Sequence, residues 1–366
     1  MKIDVILPYK EIFSSTKASA VSLTVKNSIE FSEFKNDITV YGQHTNKPFY
    51  KKFVGLKSNK IIHFSNNLSL IKKYIKLTSL NKEKKIIEIH NRPYLFNYLS
   101  KKNNLNPIVL YFHNDPLTMK GSKTIKQRLN IIKKASGIVF VSEFIKNKFL
   151  TNIETKHNNI FVLPNGIKRD LKNLPKKQKK ILFVGRLVKE KGVQLFVDAI
   201  SEIINEFTEW EYIIIGTSKA GNEKLKTNFE KKVINDFLKL GKNVKYLGFV
   251  DNHKVKEIMN TSSILIVPSI WDDPFPLTAL EGLASGQAVI ASARGGLTEM
   301  LKDIGILIND INSKKLVQEM KKLMIDHKKL NDFQKKSWKD FIYQQEEVSK
   351  MQDKIRKTIF KNFFIK

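Results

Sequence analysis

The sequence predicts an α/β protein with two doubly wound domains, each built around a parallel sheet. Short apolar runs rich in Val and Ile recur along the chain, and they are apolar on both faces, as buried parallel strands are. Amphipathic segments between the runs are long enough to be crossover helices. The polar, basic segment at residues 165–180 divides the runs into two groups and is typical of a boundary between domains.

The first group of runs predicts the strands of an N-terminal domain. In chain order these runs are KIDVILP, DITVYG, KIIHF, KIIEIH, PIVLYFH, GIVFVS and NIFVLP. The first run is short and ends at Pro8, so it predicts a strand and not a secretion signal. Because amphipathic segments alternate with the runs, we expect helices on both faces of the sheet.

The second group of runs predicts a similar C-terminal domain. These runs are KKILFVG, EYIIIG, NVKYLG, SILIVPS, QAVIAS and IGILIND. The final segment, EEVSKMQDKIRKTIFKNFFIK, is amphipathic and basic. Such a segment either covers core surface or lies on an anionic membrane.

A chain of 366 residues is long enough for two domains with ample cores. We expect an N-terminal domain at 1–165, a linker at 166–178 and a C-terminal domain at 179–345. The basic helix at 346–366 is expected to pack back on the N-terminal domain.

The composition excludes several classes of protein. The chain has no Cys, so disulfide scaffolds, thiolate metal sites and a Cys nucleophile are excluded. No apolar stretch approaches the roughly 18 residues that cross a bilayer, and we expect a cytoplasmic protein.

The formal net charge of +30 has two interpretations. One is a polyanionic partner, such as nucleic acid, anionic lipid or a phosphorylated substrate. The other is codon bias, since Lys, Ile, Asn and Phe are all abundant and the Lys residues are spread along the chain. Charge alone therefore assigns no function.

Sites in doubly wound sheets lie beyond the carboxyl ends of the strands. After ILFV comes GRLVKEKG, where Gly185 permits a turn and Arg186 and Lys191 precede a helix. Two cations beside a helix N-terminus suit a diphosphate, although both could instead be solvated surface charges. The chain has no Walker pattern and no G-x-G-x-x-G, so an ATPase or a dehydrogenase is not supported.

A second candidate loop follows SILIVPS. Pro274 and Pro276 stiffen it, and the amides of Leu277 and Thr278 are expected to be unpaired first-turn donors for a phosphate. Glu281 could accept two sugar hydroxyls through its carboxylate. The alternative is that Asp273 caps the helix and that Glu281 is a surface acid.

Three blocks together, VGRLVKEKG, DDPFPLTALEGLASGQAVIAS and RGGLTEML, resemble the donor half of the family 4 retaining glycosyltransferases. VLPNGI, YLGFV and SEFIKNKF extend the match. The resemblance covers essentially the whole chain, is specific over 181–309 and is weaker over 1–160. It implies the GT-B architecture, with two Rossmann-like domains facing a central cleft.

The resemblance implies roles for individual donor-site residues. Arg186 and Lys191 match the pair that binds the donor diphosphate, and Glu281 matches the acid that holds the ribose. Asp273 takes the place of a Glu that hydrogen-bonds a hydroxyl of the donor sugar. Val250 matches a position whose backbone contacts the base. The other residues expected at the donor site are Gly185, Phe275, Pro276, Leu277 and Thr278.

Two departures concern phosphate and acceptor binding. Pro276 replaces a Gly of the family and has no N–H, so one phosphate donor is lost. The family's Gly-Gly loop after the first strand is absent, and polar side chains take its place as expected acceptor-binding groups. These are Ser15, Thr16 and Lys17.

Two histidines and an arginine complete the expected N-terminal site. His113 matches a family His near the donor sugar, which implies a catalytic role. His90 ends the predicted strand KIIEIH, and Arg92 comes two residues later. Both are candidates for the acceptor side of the site because of these positions. A lone His at a strand end is equally consistent with a structural role.

The implied reaction is a retaining, metal-independent sugar transfer from a nucleotide diphosphate sugar, without a cofactor. The acceptor is expected to be a saccharide or lipid-linked saccharide of surface polysaccharide or lipopolysaccharide synthesis. The protein is expected in the cytoplasm, where it could be peripheral on the inner face of the cytoplasmic membrane. No nucleic acid is expected as a partner. The alternatives are an altered GT-B relative, either an epimerase or an inactive scaffold, and a polyanion-binding protein. The sequence does not distinguish UDP, GDP and ADP as the nucleotide of the donor. It does not identify the sugar either.

Overall fold

A computed structural model describes most of the chain. The described residues are 1–15, 19–57, 65–81, 83–102, 105–154, 157–218 and 225–364. They form two compact units, Met1–Gly166 with Tyr343–Lys366, and Ile167–Ile342. The chain thus leaves the first unit after Gly166 and returns to it at Tyr343.

Each unit contains one parallel sheet. The strands of the first are β1 Lys2–Ile6, β2 Ile38–Gln43, β3 Phe53–Leu56, β4 Lys85–His90, β5 Ile108–Phe112, β6 Gly137–Phe140 and β7 Ile160–Val162. The strands of the second are β8 Gln178–Val184, β9 Glu211–Ile215, β10 Val244–Tyr246, β11 Ser262–Val267, β12 Ala288–Ser292 and β13 Ile306–Ile308.

Helices connect the strands and cover the sheets. Their bounds are α1 Ala20–Phe31, α2 Asn66–Thr78, α3 Pro93–Leu99, α4 Ile125–Lys134, α5 Glu143–Leu150, α6 Val193–Ile203, α7 Asn228–Leu238, α8 Asn252–Thr261, α9 Leu277–Ala284, α10 Leu297–Met300, α11 Ser313–Ile325, α12 His327–Lys339 and α13 Gln345–Phe364. Across the described ranges, none of them combines the length and the apolarity that crossing a membrane requires.

The strand order confirms two doubly wound sheets. The first sheet runs β3-β2-β1-β4-β5-β6-β7 and the second β10-β9-β8-β11-β12-β13, with every neighbouring pair parallel. The order reverses between β1 and β4 and between β8 and β11. Loops diverge at such switch points and leave a crevice at the carboxyl ends of the strands.

The predicted runs and the observed strands differ at one place. The run KIIHF, residues 60–64, lies outside the described residues. Strand β3 was not predicted, because it is short, half-buried along most of its length and at the edge of the sheet. Such a strand needs no long apolar run, whereas the central strands β4 and β5 are buried along their whole length.

Helix α13 buries one face in the first unit. Its Arg356 makes two hydrogen bonds to Glu88 of β4, Nε to Oε1 and Nη2 to Oε2, each 2.8 Å long. Asp353 accepts hydrogen bonds from Arg356 (3.0 Å) and Ser32 (2.8 Å). Burial lowers the pKa of Arg356, but the ion pair with Glu88 raises it further, so the guanidinium stays charged. The amphipathic C-terminal segment therefore covers core surface.

The segment expected as a linker, 166–178, is held against the second unit. Arg169 donates to the carbonyls of Ala284 and Trp338, both at 3.0 Å, and its guanidinium lies 3.8 Å from the Trp338 ring centroid. Lys177 donates to the carbonyl of Ser285 at 2.6 Å. These cations satisfy carbonyls near helix ends, which explains why a basic, polar sequence is ordered here.

We expect Arg356→Met to lower the free energy of unfolding by about 3–5 kcal/mol, because Glu88 is left charged and buried without its partner. The measurement is urea unfolding followed by far-UV circular dichroism. The three tryptophans, Trp210, Trp271 and Trp338, all lie in the second unit, so their fluorescence supplies an internal reference.

The double variant Glu88→Gln/Arg356→Met is the matched control. It removes both charges and is expected to regain most of the lost stability. A single variant as stable as the unaltered protein would show that the ion pair does not hold α13 in place.

Candidate functional site

The switch point of the second sheet brings two predicted loops together. The loop at 185–192 follows β8, and the loop at 268–276 follows the neighbouring strand β11. The amide of Ile270 donates to the carbonyl of Glu190 at 3.0 Å, which joins the loops through their backbones.

Gly192 allows the close approach of these loops. Its φ is +70°, and a Cβ atom added there would lie 1.9 Å from the carbonyl oxygen of Pro268. The position therefore requires a residue without a side chain, both for backbone conformation and for space. Lys191 is thereby placed at the point where the two loops meet.

Lys191 and Asp273 form an ion pair between the two loops. The Lys191 Nζ contacts Oδ2 of Asp273, whose side chain is 8% exposed. Lys191 Nζ also lies 5.8 Å from the centroid of the Trp271 ring. The sequence assigned the two residues separate roles, and it gave no signal of their contact, since they are 82 positions apart.

Arg186 is the other predicted phosphate-binding cation. It is exposed and makes no ion pair with any residue in the described part of the chain. The preceding Gly185 donates its amide to the carbonyl of Ile215 at 3.0 Å, which fixes the start of the loop to β9. The guanidinium charge is thus available to an anionic ligand, while that of Lys191 is partly offset by Asp273.

Helix α9 begins at the end of the second loop. Pro276 is its N-cap residue and no side chain caps the helix, so Asp273 does not cap it. The amides of Leu277 and Thr278 belong to the open first turn, and no side chain of the described residues caps it. Phe275 is buried and anchors the loop. The predicted first-turn donors are therefore oriented by a rigid, Pro-flanked turn.

A third loop, which sequence reasoning left without a site role, supports Asp273. Gly296 donates its amide to the carbonyl of Asp273 at 2.8 Å. The neighbouring Gly295 has φ +57°, and a Cβ atom there would lie 2.3 Å from the same carbonyl oxygen. The Gly-Gly pair after β12 was the signal in the sequence, because such pairs permit close backbone contact.

Glu281 lies on α9 and lines a small surface pocket. Lys256 and Asn260 of α8 and residues 167–171 form the opposite wall. Burial raises the pKa of Glu281 to about 7, and the charge of Lys256 opposes that shift. A carboxyl group in this environment is not an ordinary surface acid, and it can serve as a hydrogen-bond donor or acceptor near neutral pH.

Val250 lies in the loop between β10 and α8 and is partly exposed. Strand β10 is separated from β8 by β9, so this loop is two strands from the switch point. Its neighbour Phe249 is 43% exposed and offers an apolar surface beside the Val250 backbone.

In the first unit, His90 and His113 are in direct contact. Nδ1 of His90 lies 2.8 Å from Nε2 of His113, and the two rings lie edge to edge in nearly one plane, with their centroids 5.1 Å apart. His90 also stacks on Tyr111 at 4.5 Å. His90 is paired with Tyr111 across β4 and β5, and His113 follows two positions later on the same side. The contact between the two histidines therefore follows from the register of β4 and β5, which the sequence alone does not give.

The histidine pair is neutral. Burial lowers the pKa of His90 to about 3, with a further contribution from the positive charge of Arg356. Burial and the neighbouring His90 hold the pKa of His113 well below its usual range. The two rings therefore share one hydrogen bond and no charge at physiological pH.

Arg92 and Ser15 are the other predicted acceptor residues that the structure describes. Arg92 donates from Nη1 to the carbonyl of Asn91 at 2.6 Å, and Asn91 Oδ1 accepts from the amide of His113 at 2.8 Å. The amide of Ser15 donates to the carbonyl of Lys47 at 3.2 Å. Thr16 and Lys17 lie outside the described residues. Among the acceptor candidates that the structure describes, His90 is the one whose side chain hydrogen-bonds to His113.

The chain resembles known glycosyltransferases in sequence. The pattern of the family described as glycosyl transferases group 1 matches residues 166–340, nearly all of the second unit. The chain is 23% identical over 295 residues to a lipopolysaccharide 1,2-N-acetylglucosaminetransferase of Salmonella typhimurium, with 73% of each chain covered. It is 30% identical over 230 residues to an uncharacterized glycosyltransferase of Methanocaldococcus jannaschii, with 61% of this chain and 60% of that relative covered.

Solved structures share the fold. The structure of Anabaena HepE in complex with UDP has a TM-score of 0.78 at 16% identity, over 98% of this chain and 100% of HepE. A glycosyltransferase from Rickettsia africae has a TM-score of 0.75 at 19% identity, over 99% of both chains. These likenesses confirm the predicted GT-B fold class.

We expect Glu281→Gln to remove a pH dependence of stability. In the folded protein Glu281 holds its proton up to about pH 7, against 4.5 for the ordinary group. The stabilisation from that proton is complete below pH 4.5 and is lost as the pH rises through 7. Above pH 7 the variant should therefore be more stable than the unaltered protein, by roughly 1–3 kcal/mol.

Tryptophan-detected urea unfolding between pH 5 and pH 8 measures the effect in the second unit. Glu202→Gln, at an exposed position of α6, is the control and should leave the pH dependence unchanged. Parallel curves for Glu281→Gln and the unaltered protein would mean that the Glu281 carboxyl is ionised as in water.

Proposed function

We propose that the chain, whose residues 166–340 match the family described as glycosyl transferases group 1, transfers a sugar from a nucleoside diphosphate sugar to a saccharide or lipid-linked saccharide. We further propose that transfer retains the anomeric configuration and needs no metal ion or other cofactor. The observation that supports a nucleoside diphosphate sugar as donor is a group of features suited to an anion at the β8/β11 switch point. Arg186, Lys191 and the open first turn of α9 all follow these two adjacent strands.

The diphosphate is the part of the donor that this group of features suits. When the bond from the anomeric carbon to the diphosphate oxygen breaks, the electron pair stays on the diphosphate and negative charge grows there. Arg186, Lys191 and the amides of Leu277 and Thr278 would stabilise that charge, as fixed cations and dipoles do in electrostatic catalysis. In this proposal these groups do the work for which other enzymes use a divalent cation.

The acceptor hydroxyl then bonds to the anomeric carbon on the face that the diphosphate leaves. Its proton passes to an oxygen of the departing phosphate, so no protein carboxylate is required as a nucleophile. Asp273 is proposed to accept a hydrogen bond from a hydroxyl of the donor sugar. Its contact with Lys191 would hold the carboxylate in place for that role.

Glu281 is proposed to hold the ribose hydroxyls, and the backbone at Val250 to contact the base. Carboxylate oxygens accept hydrogen bonds from two adjacent hydroxyls at once. UDP is the first nucleotide to test, because the Anabaena relative in fold was solved with UDP and with UDP-glucose. GDP and ADP are the comparison ligands.

The acceptor is proposed to belong to surface polysaccharide or lipopolysaccharide synthesis. The support is the similarity to the Salmonella transferase that carries lipopolysaccharide in its name. The formal net charge of +30 suits an anionic membrane surface, where a lipid-linked acceptor would be found. We therefore propose that the protein works at the inner face of the cytoplasmic membrane.

We expect UDP or another nucleoside diphosphate to stabilise the protein in a thermal-shift experiment. Arg186→Ala should weaken nucleotide binding about 10- to 100-fold, the effect of losing one charge-assisted hydrogen bond. Lys189→Ala is the matched control, since it removes an exposed positive charge three residues away in the same loop. Its affinity should stay within about threefold of the unaltered protein.

Transfer is then measured with the sugar conjugate of the nucleotide that binds. Equal affinities for the Arg186→Ala and Lys189→Ala variants would contradict the diphosphate site. Nucleotide binding without transfer to any saccharide acceptor would instead favour an epimerase or an inactive scaffold of the same fold.

A further inference from the structure

Three rings extend from the buried sheet to its carboxyl edge: His90 stacks on Tyr111, and His113 meets the edge of His90. The ring planes are nearly parallel, at 12° for Tyr111 and His90 and at 13° for His90 and His113. His90 is 2% exposed, while His113 lies at the half-buried end of the stack. The buried ring is therefore in a position to orient the more exposed one.

One hydrogen bond joins the two imidazoles, and its direction fixes both tautomers. A neutral imidazole has one N–H and one acceptor nitrogen. If His90 donates from Nδ1, then Nε2 of His113 is the acceptor and the proton of His113 is on Nδ1. If His113 donates from Nε2, then the proton of His90 is on its own Nε2.

The surroundings of His90 favour the first arrangement. Its Nε2 is buried and has no hydrogen-bond partner among the residues that the structure describes. A proton on that atom would be a buried donor without an acceptor, which native proteins rarely tolerate. The nearby positive charge of Arg356 contributes to keeping the His90 ring neutral, which both arrangements require.

We infer that His90 is a positioning residue, whose Nδ1–H donates to Nε2 of His113 and so holds His113 as a neutral Nδ1–H donor. Nδ1 of His113 makes no hydrogen bond within the described ranges and is not a fully buried atom. It is therefore free to donate to an oxygen of the substrate. This inference rests on the proposed function for its substrate, but not for the tautomer.

The base of the stack is held by the buried charges of the first unit. The Tyr111 hydroxyl donates to Oε1 of Glu88 at 3.0 Å and accepts from Nε2 of Gln352 at 3.1 Å. Glu88 in turn binds Arg356. Groups from β4, β5 and α13 thus fix the ring on which His90 rests, which limits rotation of the whole stack.

The tautomer has a chemical consequence for the proposed transfer. A neutral N–H donor binds a sugar or phosphate oxygen in the ground state and in the transition state without adding a charge. An imidazole with a lone pair on Nδ1 would instead accept a proton from a hydroxyl. His90 therefore determines which of these two roles His113 takes.

The tautomer can be observed directly in the full-length protein. We would label histidine with ¹⁵N and record long-range ¹H–¹⁵N correlation spectra, which distinguish protonated from unprotonated ring nitrogens. Spectra of His90→Phe and His113→Ala supply the assignments. We expect the protonated nitrogen of both residues to be Nδ1. A proton on Nε2 of His113 would overturn the inference, whether or not the protein has transferase activity.

Kinetics provide a second test once a donor is known. His90→Phe keeps a ring over Tyr111 but lacks the donor, so kcat should fall about tenfold, the effect of one hydrogen bond, while KM for the donor stays nearly unchanged. His90→Asn retains an N–H group near the position of Nδ1 and should recover most of kcat. A merely structural role would predict the opposite order, because Asn fills less of the stack than Phe.

The double variant His90→Phe/His113→Ala separates the remaining explanations. It should be no slower than His113→Ala alone, because His90 acts through His113. Additive losses, or an unchanged kcat in His90→Phe, would overturn the positioning role. If the unaltered protein transfers no sugar, the proposed function fails, and the nitrogen spectra still decide the tautomer.

Discussion

The buried ion pair between Glu88 and Arg356 is the contact on which the first unit depends. It attaches the last helix to a central strand and fixes the hydroxyl of Tyr111, on whose ring His90 stacks. Burying two charges is costly unless their geometry and hydrogen bonds are nearly complete, and here they are. Burial lowers the pKa of His90, and the charge of Arg356, which also holds the fold together, lowers it further.

In the second unit, the loops of the candidate site are held together mainly by backbone contacts. Three loops meet at the carboxyl ends of β8, β11 and β12, and they are joined by amide-to-carbonyl hydrogen bonds and by glycines in close contact. The ion pair of Lys191 with Asp273 is added to that backbone frame. Arg186 lies outside that frame of contacts, exposed and without an ion pair in the described part of the chain.

The sequence predicted the sheets well because burial on both faces leaves a continuous apolar signal, as in β4 and β11. It missed β3, because an edge strand needs little burial. It predicted a linker at 166–178 from the polar, basic composition, and in the structure cations of this segment bind carbonyls of the second unit. Single loops were found from their residue types. Contacts between loops, such as Lys191 with Asp273 or His90 with His113, depend on strand order and register, which local patterns do not contain.

The first unit is discontinuous in the chain, since the whole second unit is inserted before α13. During synthesis, Glu88 is made long before Arg356, and at roughly 5–20 residues per second the delay is on the order of tens of seconds. Until α13 has been synthesised, Glu88 of the first unit has no Arg356 with which to form its ion pair. The second unit can complete its core in that interval, so the unit that begins first is completed last.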